Sequence, residues 1–554
     1  MKIKLKMDLF DQFQEIEIEK GTTVEALYKG IKDQLKYTII AAKINNEFKD
    51  LTFVLDEECK VELLDIRTQA ANMIYQHSLS LLYICAVRDC IGDVRVEIQN
   101  SLNKGLYTEV RTSTALTAAQ VKKIEQRMRE LVDEDLPLSR GRADVDDGFE
   151  ILEEEHLFEK IRLLKENDVI RRVTFYSLED YKDFFYGLMV PSTGYLKYFE
   201  LKKYRRGILL RFPHPSDPNR IPEFVDEVKM YQAFGEQTKW DKLLDVNYVA
   251  DLNEKIESGE YKELIQLSEA LHEKKIAEIA DKIKHEGKRI ILIAGPSSSG
   301  KTTFARRLCI QLKVNGLNPL YLGTDDYFVE REDTPLDENG EMDFENLGAL
   351  DINLFNSDMN DLLSGKTVDL PTFDFMTGHK SYGNRITSIK KDQPIVIEGI
   401  HALNEKLTAY IPKEAKFKIY ISPLTQLNID SSNRIPTTDE RMLRRLVRDN
   451  LYRGHNAQST IDSWPKVRKG EDRNIFPYSN EADVFFNSYH VYEIAVLKKY
   501  AEPLLEQITP EESEYAEALR MLEFLRFFKT IEDDSIIVNN SIIREFIGGS
   551  IFVE

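Results

Sequence analysis

The stretch "RIILIAGPSSSGKTTFARRLCIQL", residues 289–312, decides how the second half of this chain folds. Its first residues are a continuous apolar run, the pattern of a strand buried on both faces. Its last residues place apolar side chains at helical spacing. Between the two, Gly295, Gly300, Lys301 and Thr302 fit G-x-x-x-x-G-K-[ST]. The glycines let the backbone curl until several N–H groups point inward, and the helix N-terminus that follows adds a potential favourable to an anion. A Gly/Ser turn ahead of a surface lysine is the plainer reading of the loop by itself. The strand before it and the helix after it favour a phosphate-binding loop.

In that reading Gly295, Ser297, Ser298, Ser299, Gly300, Lys301, Thr302 and Thr303 form the cradle. Lys301 reaches the β- and γ-phosphates and the Thr302 hydroxyl ligates Mg²⁺, so a nucleotide with Mg²⁺ is the expected ligand. A phosphate loop does not by itself name a reaction. Further apolar runs, "LYLGTDDYF", "PIVIEGI" and "FKIYIS", alternate with helical segments, which predicts a doubly wound, mostly parallel α/β sheet of the P-loop NTPase type. Ligands of such sheets lie beyond the carboxyl ends of the strands. Two of these runs stop at carboxylates there, one at Asp325 and Asp326, the other at Glu398. A carboxylate so placed could take the proton of an attacking hydroxyl or help to hold Mg²⁺, which assigns Glu398 to the metal beside Thr302. An Asp can also end a strand only because it suits turns.

Downstream, "DERMLRRLVRDNLYRGHN" sets Arg441, Arg445 and Arg448 at i, i+4 and i+7 on one helix face, with Arg453 near a Gly-terminated end. Arginines so arranged could close over a transferring phosphoryl group and offset its charge. A solvated charged face is the alternative.

The rest of the chain bounds the answer. At 554 residues it is too long for one core, and three or four units are expected. A formal charge of −20, from 95 acidic and 75 basic residues, disfavours general attraction to nucleic-acid phosphates and leaves room only for a local basic groove. Four cysteines without a CxxC pair fit a reducing compartment. No apolar run approaches the roughly 18–20 residues that span a bilayer, and "MKIKLKMDLFDQF" lacks the apolar core of a signal peptide. A cytoplasmic protein with no membrane partner is therefore expected. Alternating strands, a helix and further strands within residues 1–65 suggest a β-grasp unit. Residues 66–240 read as a mixed α+β unit and 241–288 as a helical connector. The sheet domain takes 289–505, and 506–554 form a tail with an acidic helix and a short apolar end, "SIIREFIGGSIFVE".

The ordered motifs "GPSSSGKTT", "TDDYF", "FENLGALD", "LPTFDFMTGHK", "IVIEGI" and "RRLVRDNLYRG" resemble the uridine kinase family, within the wider uridine kinase/phosphoribulokinase group, over about residues 289–500. The resemblance implies an ATP-dependent kinase acting on a nucleoside 5′-hydroxyl. Asp325 would be its base, and Lys301, Arg448 and Arg453 would act on the phosphates. Glu345 stands where that family carries a ribose-binding aspartate, and Arg445 matches a nucleoside-contacting arginine. Phe373 takes the place of a base-contacting tyrosine. His379 matches a base-contacting histidine after a one-residue shift. His455 replaces an arginine and Ser463 a glutamine. These departures leave phosphoryl transfer intact and put the nucleobase in question. Two other readings stay open: an ATP-binding regulatory or RNA-associated protein that uses the fold as a nucleotide sensor, and a kinase for another hydroxylated metabolite. Relatives of this kind often assemble, so a homo-oligomer is a candidate state.

The N-terminal half resembles the first two domains of threonyl-tRNA synthetase: the TGS module over 1–65, then the second domain through "HSLSLLYICAV" and "GLMVPSTGYLKYFELKK". That resemblance implies a site of two histidine-containing pairs, commonly tied to editing. Here His77 remains, with Leu81, Phe185 and Met189 at the other three positions. One imidazole cannot hold a zinc ion that needs three or four ligands, so neither metal nor editing by that route is expected, and His77 is expected to be structural. RNA, a nucleotide or a partner protein are the candidate ligands of this module.

Overall fold

The apolar run at 290–294 is buried throughout, as a central strand must be, and the computed structural model puts it in the middle of a five-stranded sheet. The model describes residues 1–8, 11–167, 169–337, 340–374 and 377–553. The strand order across the sheet is Leu320–Gly323, Ile395–Glu398, Ile290–Ala294, Lys416–Ser422, Val484–Asn487, and every neighbouring pair is parallel. The chain crosses from one side of Ile290–Ala294 to the other, so a topological switch point opens beside this strand, and the loop 295–300 leaves it there. Helices Tyr261–His285 and Lys301–Val314 pack on one face of the sheet, where Ile276, Ile279, Phe304 and Leu308 meet Ile291, Ile293 and Ile419.

Two smaller units precede this sheet. In the first, strands Gln14–Glu17, Lys2–Lys6, Lys60–Asp65, Ile39–Ile44 and Glu47–Lys49 form a mixed sheet around the amphipathic helix Val24–Ile31, a β-grasp arrangement. Thr23 caps that helix by accepting the Ala26 N–H at 3.1 Å. In the second, the 23-residue helix Gln69–Ile91 is buried along most of its length. It packs on strand Val96–Leu102 of a four-stranded sheet and on strand Arg172–Leu178 of a three-stranded one. Helix Val228–Leu244 runs through the boundary that the sequence pattern suggests at 240, and a left-handed Asp245 ends it. No helix among the described residues is long and apolar enough to cross a membrane.

The second unit and the sheet domain share a buried polar joint. Lys160, wholly buried, ion-pairs with Asp183 and lies 3.3 Å from Asp430, which sits in the segment after strand Lys416–Ser422. Ser432 donates to Asp183 at 2.9 Å, and Asn433 donates to the Phe184 carbonyl at 3.0 Å. The segment beyond 508 adds to the same joint, with Phe527 against Phe184 and Tyr186 at ring separations of 5.9 and 5.8 Å. His77 lies beside this packing, 5.4 Å from the Tyr186 ring, and burial lowers its pKa to about 4. Leu81, Phe185 and Met189 are core residues here.

Removing one member of a buried ion cluster strands the others, at a cost of about 3–5 kcal/mol. Lys160→Ala is therefore expected to lower the urea midpoint clearly, whereas Lys2→Ala, which breaks a surface pair with Glu15, leaves it within error. Equal midpoints for the two variants would contradict a buried joint.

Candidate functional site

The loop after Ala294 is shaped by what each position permits. A Cβ on Gly295 would overlap the Ile421 carbonyl oxygen, so only glycine lets the loop leave the strand against its neighbour. Gly300 has φ +80°, and a Cβ there would overlap Ile542. Ser298 adopts a left-handed φ of 59°, which a serine takes only when its surroundings force it. The force comes from behind. Arg441 donates to the Ser297 carbonyl at 2.9 Å and Arg444 to the Ser298 carbonyl at 3.2 Å, while Glu471 accepts the Ser297 N–H at 2.8 Å. With its carbonyls held outward, the loop can turn its other N–H groups inward. The hydroxyls of Ser298 and Ser299 are buried and have no hydrogen-bond partner among the described residues, which suits a ligand carrying many acceptor oxygens.

Lys301 begins the helix that follows and folds back to donate to the carbonyls of Gly295 and Pro296 at 3.1 and 3.2 Å. Burial lowers its pKa, while Glu398, Glu545 and Asp325 pull the other way. Thr302 donates its hydroxyl to Glu398 at 2.8 Å, and Tyr321 donates to the same carboxylate oxygen at 2.9 Å. A hydroxyl and a carboxylate side by side beneath a phosphate loop are the donor set that Mg²⁺ favours, so these residues fit the metal expected there.

Asp325 sits in the short turn Thr324–Tyr327 after its strand. Partial desolvation first, then the Glu398 charge, push its carboxyl up to about 6, against the pull of Lys301 and Arg453. Its neighbour Asp326 is tied to Arg385 at 2.5 Å and serves the fold. Glu345 lies against helix Ala457–Asn474, where Gly470 leaves space that a Cβ would close. Desolvation and the charges of Glu471 and Asp343 raise its pKa to about 7, and Arg445 and Lys301 act on it from across the cleft.

Helix Thr437–Arg453 carries the arginines, and the structure divides them differently from the one-face pattern in the sequence. Arg441 is buried, ion-paired with Glu471 and laid over the Trp464 ring, so it supports the loop and does not face the cleft. Arg444, unremarkable by spacing, is equally buried against Glu493. Arg445, Arg448 and Arg453 share one anchor: Asp449 lies 3.2, 2.7 and 3.6 Å from their respective nitrogens. Arg445 also donates to the Ser297 hydroxyl at 2.8 Å. The i,i+4 steps from Arg445 to Asp449 and from Asp449 to Arg453 were the legible signal for this anchor.

The structure thus brings together Lys301, Thr302, Asp325, Glu345, Glu398 and three arginines. The residues expected to read a base are less engaged. Phe373 is buried against Phe328 at 5.5 Å, on a strand that packs on the Asp325 turn. The largely exposed His379 pairs with Glu330 at 2.7 Å. His455 is exposed just past the arginine helix, and Ser463 donates to Thr460 within its own helix.

Residues 290–495 match the model of the Phosphoribulokinase / Uridine kinase family, and residues 12–65 match that of the TGS domain. The N-terminal part is similar to threonine–tRNA ligases. That of Desulforamulus reducens is 29% identical over 185 residues, and that of Bacillus velezensis 31% identical over 185 residues. Each match covers 33% of this chain and 29% of the relative, so the chain spans less than a third of the curated relatives it matches. Among solved structures, a possible uridine kinase from Bacillus stearothermophilus aligns at TM-score 0.22 and 20% identity, over 36% of this chain and 88% of that one. A D-glycerate 3-kinase from Cryptococcus neoformans aligns at 0.20 and 11%, over 45% and 87%.

The raised Asp325 pKa has a consequence for stability. Its native value of about 6 lies above the ordinary 3.8, so ionisation above pH 6 costs the folded state more than the unfolded one. Below about pH 3 both states are protonated and the penalty is gone. Asp325→Asn is expected to raise the thermal midpoint at pH 7.5 by roughly 1–3 °C, after allowance for solvent screening, and to leave it unchanged at about pH 3. A destabilised variant at pH 7.5 would contradict the crowded carboxylates.

Proposed function

We propose that this chain is an ATP-dependent kinase that transfers the γ-phosphoryl group to the 5′-hydroxyl of a nucleoside. The observation that carries the reading is the approach of Asp325 to Lys301 and Glu398 at the mouth of the phosphate loop, since each enters the electrostatic surroundings of the others. When bound, Mg²⁺ would neutralise charge on the β- and γ-phosphates, held through Thr302 and Glu398. Lys301 would leave the loop carbonyls and turn its ammonium to the phosphates. Asp325, ionised above pH 6, would accept the proton of the acceptor hydroxyl. Arg445, Arg448 and Arg453, oriented by Asp449, would offset the charge of the transferring group without the entropy loss of ordering three free side chains. Glu345, across the cleft, would accept hydrogen bonds from the hydroxyls of a ribose.

A kinase for another hydroxylated metabolite is the second reading. It is favoured by the pairing of His379 with Glu330, which occupies a residue expected to read a base. In either case the N-terminal units, alike in part to a tRNA ligase, would bind RNA or a nucleotide and bring the kinase to it.

The test is a panel of nucleosides, sugar phosphates and simple alcohols incubated with γ-labelled ATP. A labelled nucleoside 5′-monophosphate is expected, with a rate that falls as pH drops through about 6. Asp325→Asn should lose roughly 10²–10⁴-fold in turnover and Lys301→Ala at least as much, with unchanged far-UV circular dichroism. Wild-type turnover in Asp325→Asn removes the base, and product only from a non-nucleoside acceptor selects the second reading.

A further inference from the structure

The segment after 508 does more than complete the packing. It returns to the phosphate loop and packs against the arginine helix Thr437–Arg453. Ile542 and Phe546 are fully buried among Phe304, Ala305, Leu308 and Ile421, and Ile542 fills the space that Gly300 leaves open. Arg444, which holds the Ser298 carbonyl, lies over the Phe546 ring at 4.9 Å. Ser541 donates to Glu269, a buried carboxylate that also accepts from Tyr492 at 2.9 Å. This frame aims one side chain at the loop helix. The Glu545 carboxylate accepts the Thr303 N–H at 3.2 Å and the Thr303 hydroxyl at 2.7 Å through the same oxygen. Glu545 is itself buried, and its charge reaches Lys301 and Arg453.

Helix Lys301–Val314 begins after Gly300, so Thr303 carries one of the first-turn N–H groups that no carbonyl within the helix can satisfy. In a phosphate loop these donors take the α- and β-phosphates, while the lysine serves β and γ. A carboxylate on Thr303 is an anion held where the α-phosphate belongs. Two anions cannot share that donor pair, and their like charges repel in a site largely closed to water.

We propose that Glu545 is an internal competitor of the nucleotide: its carboxylate stands in for the α-phosphate on Thr303 and must give way before a nucleoside di- or triphosphate seats fully. The gate belongs to the nucleotide reading of the loop and adds a control to it. Ile542 keeps the segment docked, so the moving part is the Glu545 side chain with the short turn Arg544–Ile547, which Gly548 and Gly549 follow at φ +96° and +78°. When the turn yields, Thr303 is free and the loop takes all its phosphates. When it holds, only the Lys301 side of the site is available.

The experiment titrates full-length protein with a fluorescent methylanthraniloyl derivative of ADP. Glu545→Gln keeps the shape and removes the charge, and is expected to lower Kd at least tenfold. Hydrogen–deuterium exchange gives a second readout, in which ADP should speed exchange of residues 541–548 in the wild type. Equal or weaker binding by Glu545→Gln, or slower exchange of 541–548 with ADP, overturns the gate while leaving the nucleotide reading in place. Failure of both proteins to bind the probe overturns the two together.

Discussion

Two buried arginines hold the rest of this molecule in register. Arg441 and Arg444 reach from one helix to successive carbonyls of the phosphate loop, and Glu471 and Glu493 neutralise them from two other segments. A guanidinium without a counter-charge would not survive at this depth, so loop, arginine helix and both glutamates must be placed together. The loop is therefore rigid from its outer side. Its outward carbonyls are taken by the two arginines, and the positions of Lys301 and Thr302 follow from the loop.

The same economy governs the cleft. Asp449 is one buried carboxylate serving three arginines, so their guanidinium groups converge instead of repelling one another apart. Glu398 serves Thr302 and Tyr321 from one oxygen. Among the described residues, Asp325 and Glu345 have no such partners at short range, and both have raised pKa values. Groups left electrostatically unsettled among groups that are settled mark where chemistry is expected.

Much of this was legible in the sequence because it obeys local rules. The apolar run before Gly295, the glycines at 295 and 300, and the strands ending at Asp325 and Glu398 each follow from a short stretch read by itself. The β-grasp unit was legible by its alternating strands, and the second unit only by its resemblance through "HSLSLLYICAV" and "GLMVPSTGYLKYFELKK". The roles of Arg441 and Arg444 were not, because a helix face shows which residues are neighbours and not which neighbour meets the core. His379 and His455 were placed by resemblance, and their surroundings depend on loop geometry that no periodicity encodes. The docking of residues 541–548 was invisible for a different reason: an apolar end after a helix reads as ordinary tail, and the pairing of Glu545 with Thr303 spans 242 positions.

That span has a temporal meaning. Ile542 and Phe546 belong to the core beneath the loop helix, so this part of the protein cannot close until they have been synthesised. At roughly 5–20 residues per second, the phosphate loop waits about 12–50 s on the ribosome with that face uncovered. Nascent chains thus carry an unfinished C-terminal half behind the N-terminal β-grasp unit, and any factor that binds that unit early meets the protein before it has matured.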